Sequence, residues 1–140
     1  MHLKALVKLY YLNLRDTQVT NTGLLHLNGL TNLHSLGLEG TQVTDAGLAN
    51  LLELAKLKGV VKLQHLNLSG TQVTDDGLVH LKTLTNLRYL NLSGTRVTDA
   101  GLVHLKGLGK LETLKLSSTQ ITGAGLTNLK TALPACKIQK

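Results

Sequence analysis

Six histidines in 140 residues are the first place to look for chemistry, because imidazole serves both as a metal ligand and as a proton carrier. Their placement argues against both roles. His26, His80 and His104 fill one slot of a recurring G-L-x-H-L string, and His2 stands at its counterpart near the start. Asn50 and Asn128 take that slot elsewhere, and no Asp or Glu joins the histidines at ligand spacing. His34 and His65 stand alone. The column is a by-product of duplication, and no metal or other cofactor is expected.

The lone cysteine, Cys136, has no partner for an internal disulfide and no histidine fixed beside it in sequence. It reads as a small core residue in a chain suited to a reducing, cytoplasmic compartment. The recurring glycines come once per unit instead of clustering into a phosphate loop. No Ser-His-acid set or carboxylate pair departs from the repeating pattern, so the chain is expected not to be an enzyme.

What repeats is the string T-x-[VI]-T, at Thr17, Thr41, Thr71, Thr95 and Thr119, which gives a period of 24 residues with one insertion of six. In register each unit reads L-x-x-L-x-L-x-x-T-x-V-T-D-x-G-L-x-x-L-x-x-L, as from Leu87 to Leu108. Leucines two apart, such as Leu90 and Leu92, put both side chains on one face of a short strand. Leu102, Leu105 and Leu108, three apart, fit one side of a helix or 3-10 turn. Thr44, Thr74 and Thr98 are placed to cap that helix, and Asp45, Asp75 and Asp99 fall in its first turn, where the helix dipole favours negative charge. The repeated Thr17, Thr41, Thr71, Thr95 and Thr119 have hydroxyls suited to backbone groups at the turn after the strand.

The units resemble leucine-rich repeats over essentially the whole chain. Their T-D-x-G-L signature is similar to that of the cysteine-containing subclass and to short bacterial arrays of it. The resemblance implies an α/β fold, a right-handed solenoid or horseshoe arc with a concave parallel β-sheet inside and helices outside. Residues 1–140 then form one domain of about five repeats plus a closing strand. No repeat can bury its leucines alone, so stacking is obligatory.

At the start, Met1, His2 and Leu3 align with Val103, His104 and Leu105, so the chain is expected to begin inside a helix without a polar cap. That leaves open a fragment of a longer array, or end-to-end contact through the first repeat. At the other end, Leu133 to Ile138 copies L-x-x-L-x-L, with Cys136 and Ile138 in its fourth and sixth slots. The six extra residues lie between Gly47 and Leu63, where apolar positions 48, 51, 54, 57 and 60 keep a spacing of three. They predict a longer convex helix, either a tolerated irregularity or an added docking ridge.

The concave positions are the third, fifth and seventh of each unit, by alternation with the buried leucines. The resemblance implies that a protein or peptide partner binds there. The candidate contact residues are Tyr11, Asn13, Arg15, His65, Asn67, Tyr89, Asn91, Thr113 and Lys115, with Lys137 on the closing strand. The tyrosines are the strongest of these, since Tyr is enriched in binding hot spots. Asn13, Asn67 and Asn91 share one repeat position, where they either bond one another from strand to strand or meet a partner.

The net charge of +7 raises the alternative of nucleic acid or another anionic surface. Lys82, Lys106 and Lys130 recur near helix C-termini and make one edge basic. That edge has no interleaved aromatics, and the concave face offers only Arg15 and Lys115 against Glu39, so nucleic acid is the weaker reading. No run of about 18 apolar residues provides a membrane span, and no signal peptide is recognised. A third reading is a purely structural segment of a longer repeat protein.

Overall fold

The computed structural model describes residues 8–27, 29–57 and 62–140. Within them lie six three-residue strands: β1 (Tyr11–Asn13), β2 (Ser35–Gly37), β3 (His65–Asn67), β4 (Tyr89–Asn91), β5 (Thr113–Lys115) and β6 (Lys137–Gln139). They form one parallel sheet in chain order. Each strand pairs with the next at the same repeat position, so Leu12, Leu36, Leu66, Leu90, Leu114 and Ile138 make one continuous row. The return paths are helical: α1 (Asn21–Leu24) running into a 3-10 turn, α2 (Asp45–Leu57), α3 (Asp75–Leu81), a 3-10 segment (Gly101–Leu105) and α4 (Gly123–Ala132). This is the α/β solenoid expected from the repeat.

The six-residue insertion lengthens α2 to 13 residues against 7 in α3, as the spacing of its leucines requires. Position 60 lies outside the described residues, as do the helical start at Met1 to Leu6, with His2, and any contact made through it.

The core is a stack of aliphatic side chains. Leu66, Leu90 and Leu114 from the sheet, Val73 and Val97 after the turn, and Leu78, Leu81 and Leu105 from the helical side are all fully buried. Parallel sheets are usually covered on both faces, but here each strand sends only its central residue inward. The other face is left open.

After each of β1 to β5 the chain turns through a left-handed residue, Asp16, Gly40, Gly70, Gly94 or Ser118 (φ 52 to 69°). The following threonine closes the turn by donating its hydroxyl to the carbonyl three residues back, at 2.6 Å in all five units, from Thr17 to Leu14 through Thr119 to Leu116. Thr41, Thr71 and Thr95 are buried, so this bond satisfies a hydroxyl that would otherwise be costly to bury.

The T-D-x-G motif does more than cap helices. The carboxylate of each Asp reaches forward to the threonine of the next repeat. Asp45 accepts the amide and hydroxyl of Thr74, Asp75 those of Thr98, and Asp99 those of Thr122, at 2.5–2.8 Å. Each receiving hydroxyl in turn accepts an N–H of its own helix or 3-10 segment, from Asp76, Ala100 or Gly125, at 3.3 Å. At the first junction Asn21 substitutes, accepting the Thr44 amide and donating to its hydroxyl. The glycine of the motif makes this possible, because a Cβ at Gly77, Gly101 or Gly125 would overlap the incoming carboxylate of Asp45, Asp75 or Asp99. Sequence reasoning gave these aspartates only a dipole role. Their partners lie one repeat away, beyond the reach of local rules.

The closing strand exists, but in a different register from the one the apolar letters suggest. Ile138 pairs with Leu114, the fourth slot and not the sixth. Cys136 N–H donates to Leu133 O as Leu111 N–H does to Leu108 O, so Cys136 takes the part of Leu111 in the turn with one residue fewer before the strand. Backbone bonds set the register, with Lys137 N–H on Glu112 O and Leu116 N–H on Gln139 O. Cys136 is buried, and burial pushes its thiol pKa up, away from nucleophile behaviour.

Two outcomes follow. Replacing a helical Gly by Ala ordinarily stabilises by about 1 kcal/mol. Gly125→Ala should instead destabilise, because the atoms nearest its Cβ would be those of the Asp99 carboxylate, and should become neutral or stabilising in an Asp99→Ala background; urea unfolding of the four chains checks this. The hydrogen bonds from Thr122 hold the Asp99 carboxyl below its ordinary pKa. Its contribution is therefore present above the ordinary carboxylate range and is lost as pH falls through the lowered value. The stability advantage over Asp99→Ala should shrink in acid, read from melting curves across that range.

Candidate functional site

The open face of the sheet presents two main rows. Parallel pairing aligns Tyr11, Ser35, His65, Tyr89, Thr113 and Lys137 in one, and Asn13, Gly37, Asn67, Asn91, Lys115 and Gln139 in the other. On β1 to β5 these are the third and fifth positions, which alternate with the central leucines. Gly37 interrupts the second row. It has no side chain to fill the space between Asn13 and Asn67, and a Cβ there would stand 2.9 Å from Asn13 Oδ1.

A groove of ≈ 480 Å³ crosses β1 to β4 at this gap, lined by Tyr11, Ser35, Gly37, Glu39, His65 and Tyr89 among others. Tyr11 is 74% exposed. The His65 and Tyr89 rings lie 6.2 Å apart and tilted by 32°, and Lys115 Nζ stands 5.8 Å from the centre of the Tyr89 ring. These contacts orient the His65 and Tyr89 rings on the face.

The structure divides the nine sequence candidates. Tyr11, Asn13, His65, Asn67 and Tyr89 line the groove, whereas Arg15, Asn91 and Thr113 stand outside it and Lys115 adjoins through Tyr89. The asparagines do not bond one another across the strands. Asn13, Asn67 and Asn91 each accept the N–H two residues on, from Arg15, Ser69 and Ser93, at 3.0–3.1 Å. Such short-range turns are what an Asn side chain makes most readily at a strand end. Asn67 also accepts the Ser69 hydroxyl and donates to Glu39. Arg15 is committed as well, to Asp16 at 2.9 Å and Glu39 at 2.7 Å, and both carboxylates hold its pKa up.

Two features were missed. Glu39 joins Arg15 on β1's side to Asn67 on β3's. Tyr10, 51% exposed, lies with its ring 5.2 Å from that of His34, extending the aromatic surface beyond the rows considered. The signal for Tyr10 was its second position in the unit, next to a leucine yet aromatic.

Elsewhere, Lys82, Lys106 and Lys130 are exposed at the helix C-terminal ends, as the repeat required. Among the described residues no three His, Cys, Asp or Glu side chains converge, and no helix is long and apolar enough to cross a membrane.

Family models agree with the geometry: one for two copies of the leucine-rich repeat matches residues 61–104, and another for a single copy matches residues 110–130. Those two segments match leucine-rich repeats. Comparison with curated proteins gave no match. Among solved structures, the leucine-rich repeat solenoid is similar to a leucine-rich repeat protein of Leptospira interrogans, with a TM-score of 0.71 and 24% identity over 99% of the chain. An internalin of Listeria monocytogenes gives a TM-score of 0.56 and 19% identity, again over 99% of the chain. Both similarities concern the fold. The chain spans 33% and 49% of the length of these two proteins.

If the asparagines build the face and the tyrosines are free on it, mutation should separate them. Asn67→Ala should lower stability by about 1–2 kcal/mol through lost hydrogen bonds, and Tyr11→Ala by less than about 0.5 kcal/mol. Denaturant midpoints measured side by side check this.

Proposed function

We propose that this leucine-rich repeat segment is a non-catalytic module that holds a protein or peptide across its concave sheet, centred on the groove over Gly37. The observation that carries the reading is the exposure of Tyr11 beside a gap in the second row, with the His65–Tyr89 pair on the other side. None of these rings is needed for the core, which is aliphatic. Large, rigid aromatics at a concavity are the residues from which binding hot spots are made. The asparagines and Arg15 hold the face in shape, while Tyr11, His65 and Tyr89 make the contacts, with Thr113 and Lys115 continuing the surface.

A repeat array also positions what is joined to it. That second role draws on the lengths of the two structural neighbours, of which this chain spans a third and a half. We further infer kinship with the T-D-x-G-L subclass and a bacterial source, supported by the motif and by the bacterial origin of both neighbours.

Panning a displayed random peptide library on the chain tests the reading. Selected peptides should lose at least tenfold in affinity on Tyr11→Ala plus Tyr89→Ala, with the melting temperature unchanged. Selected peptides indifferent to that pair would overturn a concave site.

A further inference from the structure

The ionic side chains of the concave face are unevenly matched. On the β1–β3 side, Glu39 has both carboxylate oxygens engaged, one by Arg15 at 2.7 Å and the other by Asn67, and Arg15 also holds Asp16. That half sets one guanidinium against two carboxylates, all of them engaged. Toward the other end, Arg88 takes the carboxylate of Glu112. The side chains of Lys115 and Lys137 then remain on β5 and β6 with no hydrogen bond or ion pair among the described residues. Lys115 is half-buried with its ammonium beside the Tyr89 ring, so the charge is held toward the groove.

Lys115 beside the Tyr89 ring and Lys137 on the next strand are complementary to carboxylates, and like-charged partners would be repelled. Resting on the concave reading above, we propose that the partner is an extended acidic peptide lying across the strands. It places an aromatic or large aliphatic side chain in the hollow over Gly37 and carboxylates over Lys115 and Lys137.

The spacing follows from the sheet. Neighbouring strands stand about 4.8 Å apart, so Lys115 is three steps, about 14 Å, from Gly37, and Lys137 is four steps, about 19 Å. An extended chain advances roughly 3.3 Å per residue, so the acidic residues fall about four and six positions from the apolar anchor. Two lysines, with a single ring beside Lys115, make a short track for a nucleic acid strand, which needs a longer row of cations and stacking rings.

The test uses peptides selected by panning, measured by fluorescence polarisation on four chains: wild type, Lys115→Glu plus Lys137→Glu, Tyr11→Ala plus Tyr89→Ala, and Lys82→Glu plus Lys106→Glu. Expected are peptides enriched in Asp or Glu about four to six residues from an aromatic or aliphatic residue. Affinity should fall tenfold or more on the first lysine pair and on the tyrosine pair, should weaken with added salt, and should be unchanged on the convex lysine pair. Panning on the Lys115→Glu plus Lys137→Glu chain should select Lys- or Arg-bearing peptides instead. Neutral or basic peptides that bind wild type and depend on the tyrosines but not on Lys115 and Lys137 would overturn the acidic partner and leave the concave site standing. Peptides indifferent to both pairs would overturn both. Binding of polyuridylate through the same two lysines, with no acidic peptide retained, would assign the charge to nucleic acid and overturn the proposal.

Discussion

No unit of this chain can bury its own leucines, and every other feature depends on that constraint. A strand of three residues offers one inward side chain, and a helical return of one to three turns offers a narrow apolar stripe. Neither makes a core until the next unit covers it, so the bonds between units decide whether the protein exists as a folded object. The backbone supplies two sets. One runs along the sheet, and another follows the turn, where Gln72 N–H meets Val43 O and Arg96 N–H meets Val73 O. The aspartate-to-threonine bonds add a third set along the edge where the helical segments begin.

These three sets explain why the motif letters are what they are. Threonine after the strand ties the turn. Valine or isoleucine two positions later fills the core, and the second threonine receives the aspartate of the unit before while accepting its own helix's N–H. Glycine clears the path for that aspartate. Gly123 stands where the other units have Asp or Asn, which ends the series at the last unit. The chain thus resembles a one-dimensional lattice in which stability is a sum of unit and junction contributions.

Much of this was legible in the sequence because its signals are local and repeated. Leu90 and Leu92 two apart, Leu102, Leu105 and Leu108 three apart, and the absence of aliphatic residues from the third and fifth positions of the five units are enough to assign faces. The insertion was legible because its leucines keep their spacing. What escaped reading was non-local. Asp75 bonds Thr98 across a repeat boundary, and the closing register follows backbone pairing and not the resemblance of Cys136 to a leucine. The asparagines looked like contact residues because their position is polar, yet each one closes a turn two residues ahead. The groove itself was invisible, since it arises from the absence of a side chain at Gly37.

On the proposed reading, the lattice holds the tyrosines, His65 and the two lysines on one surface ahead of a partner, which lowers the ordering cost of binding. The most direct check is amide chemical-shift mapping of the isotope-labelled chain with a peptide selected by panning. The account predicts shifts concentrated at Tyr11, Gly37, His65 and Tyr89 and extending to Lys115. Shifts confined to the helical side, at residues such as His80 and Val103, with the sheet face silent, would contradict it.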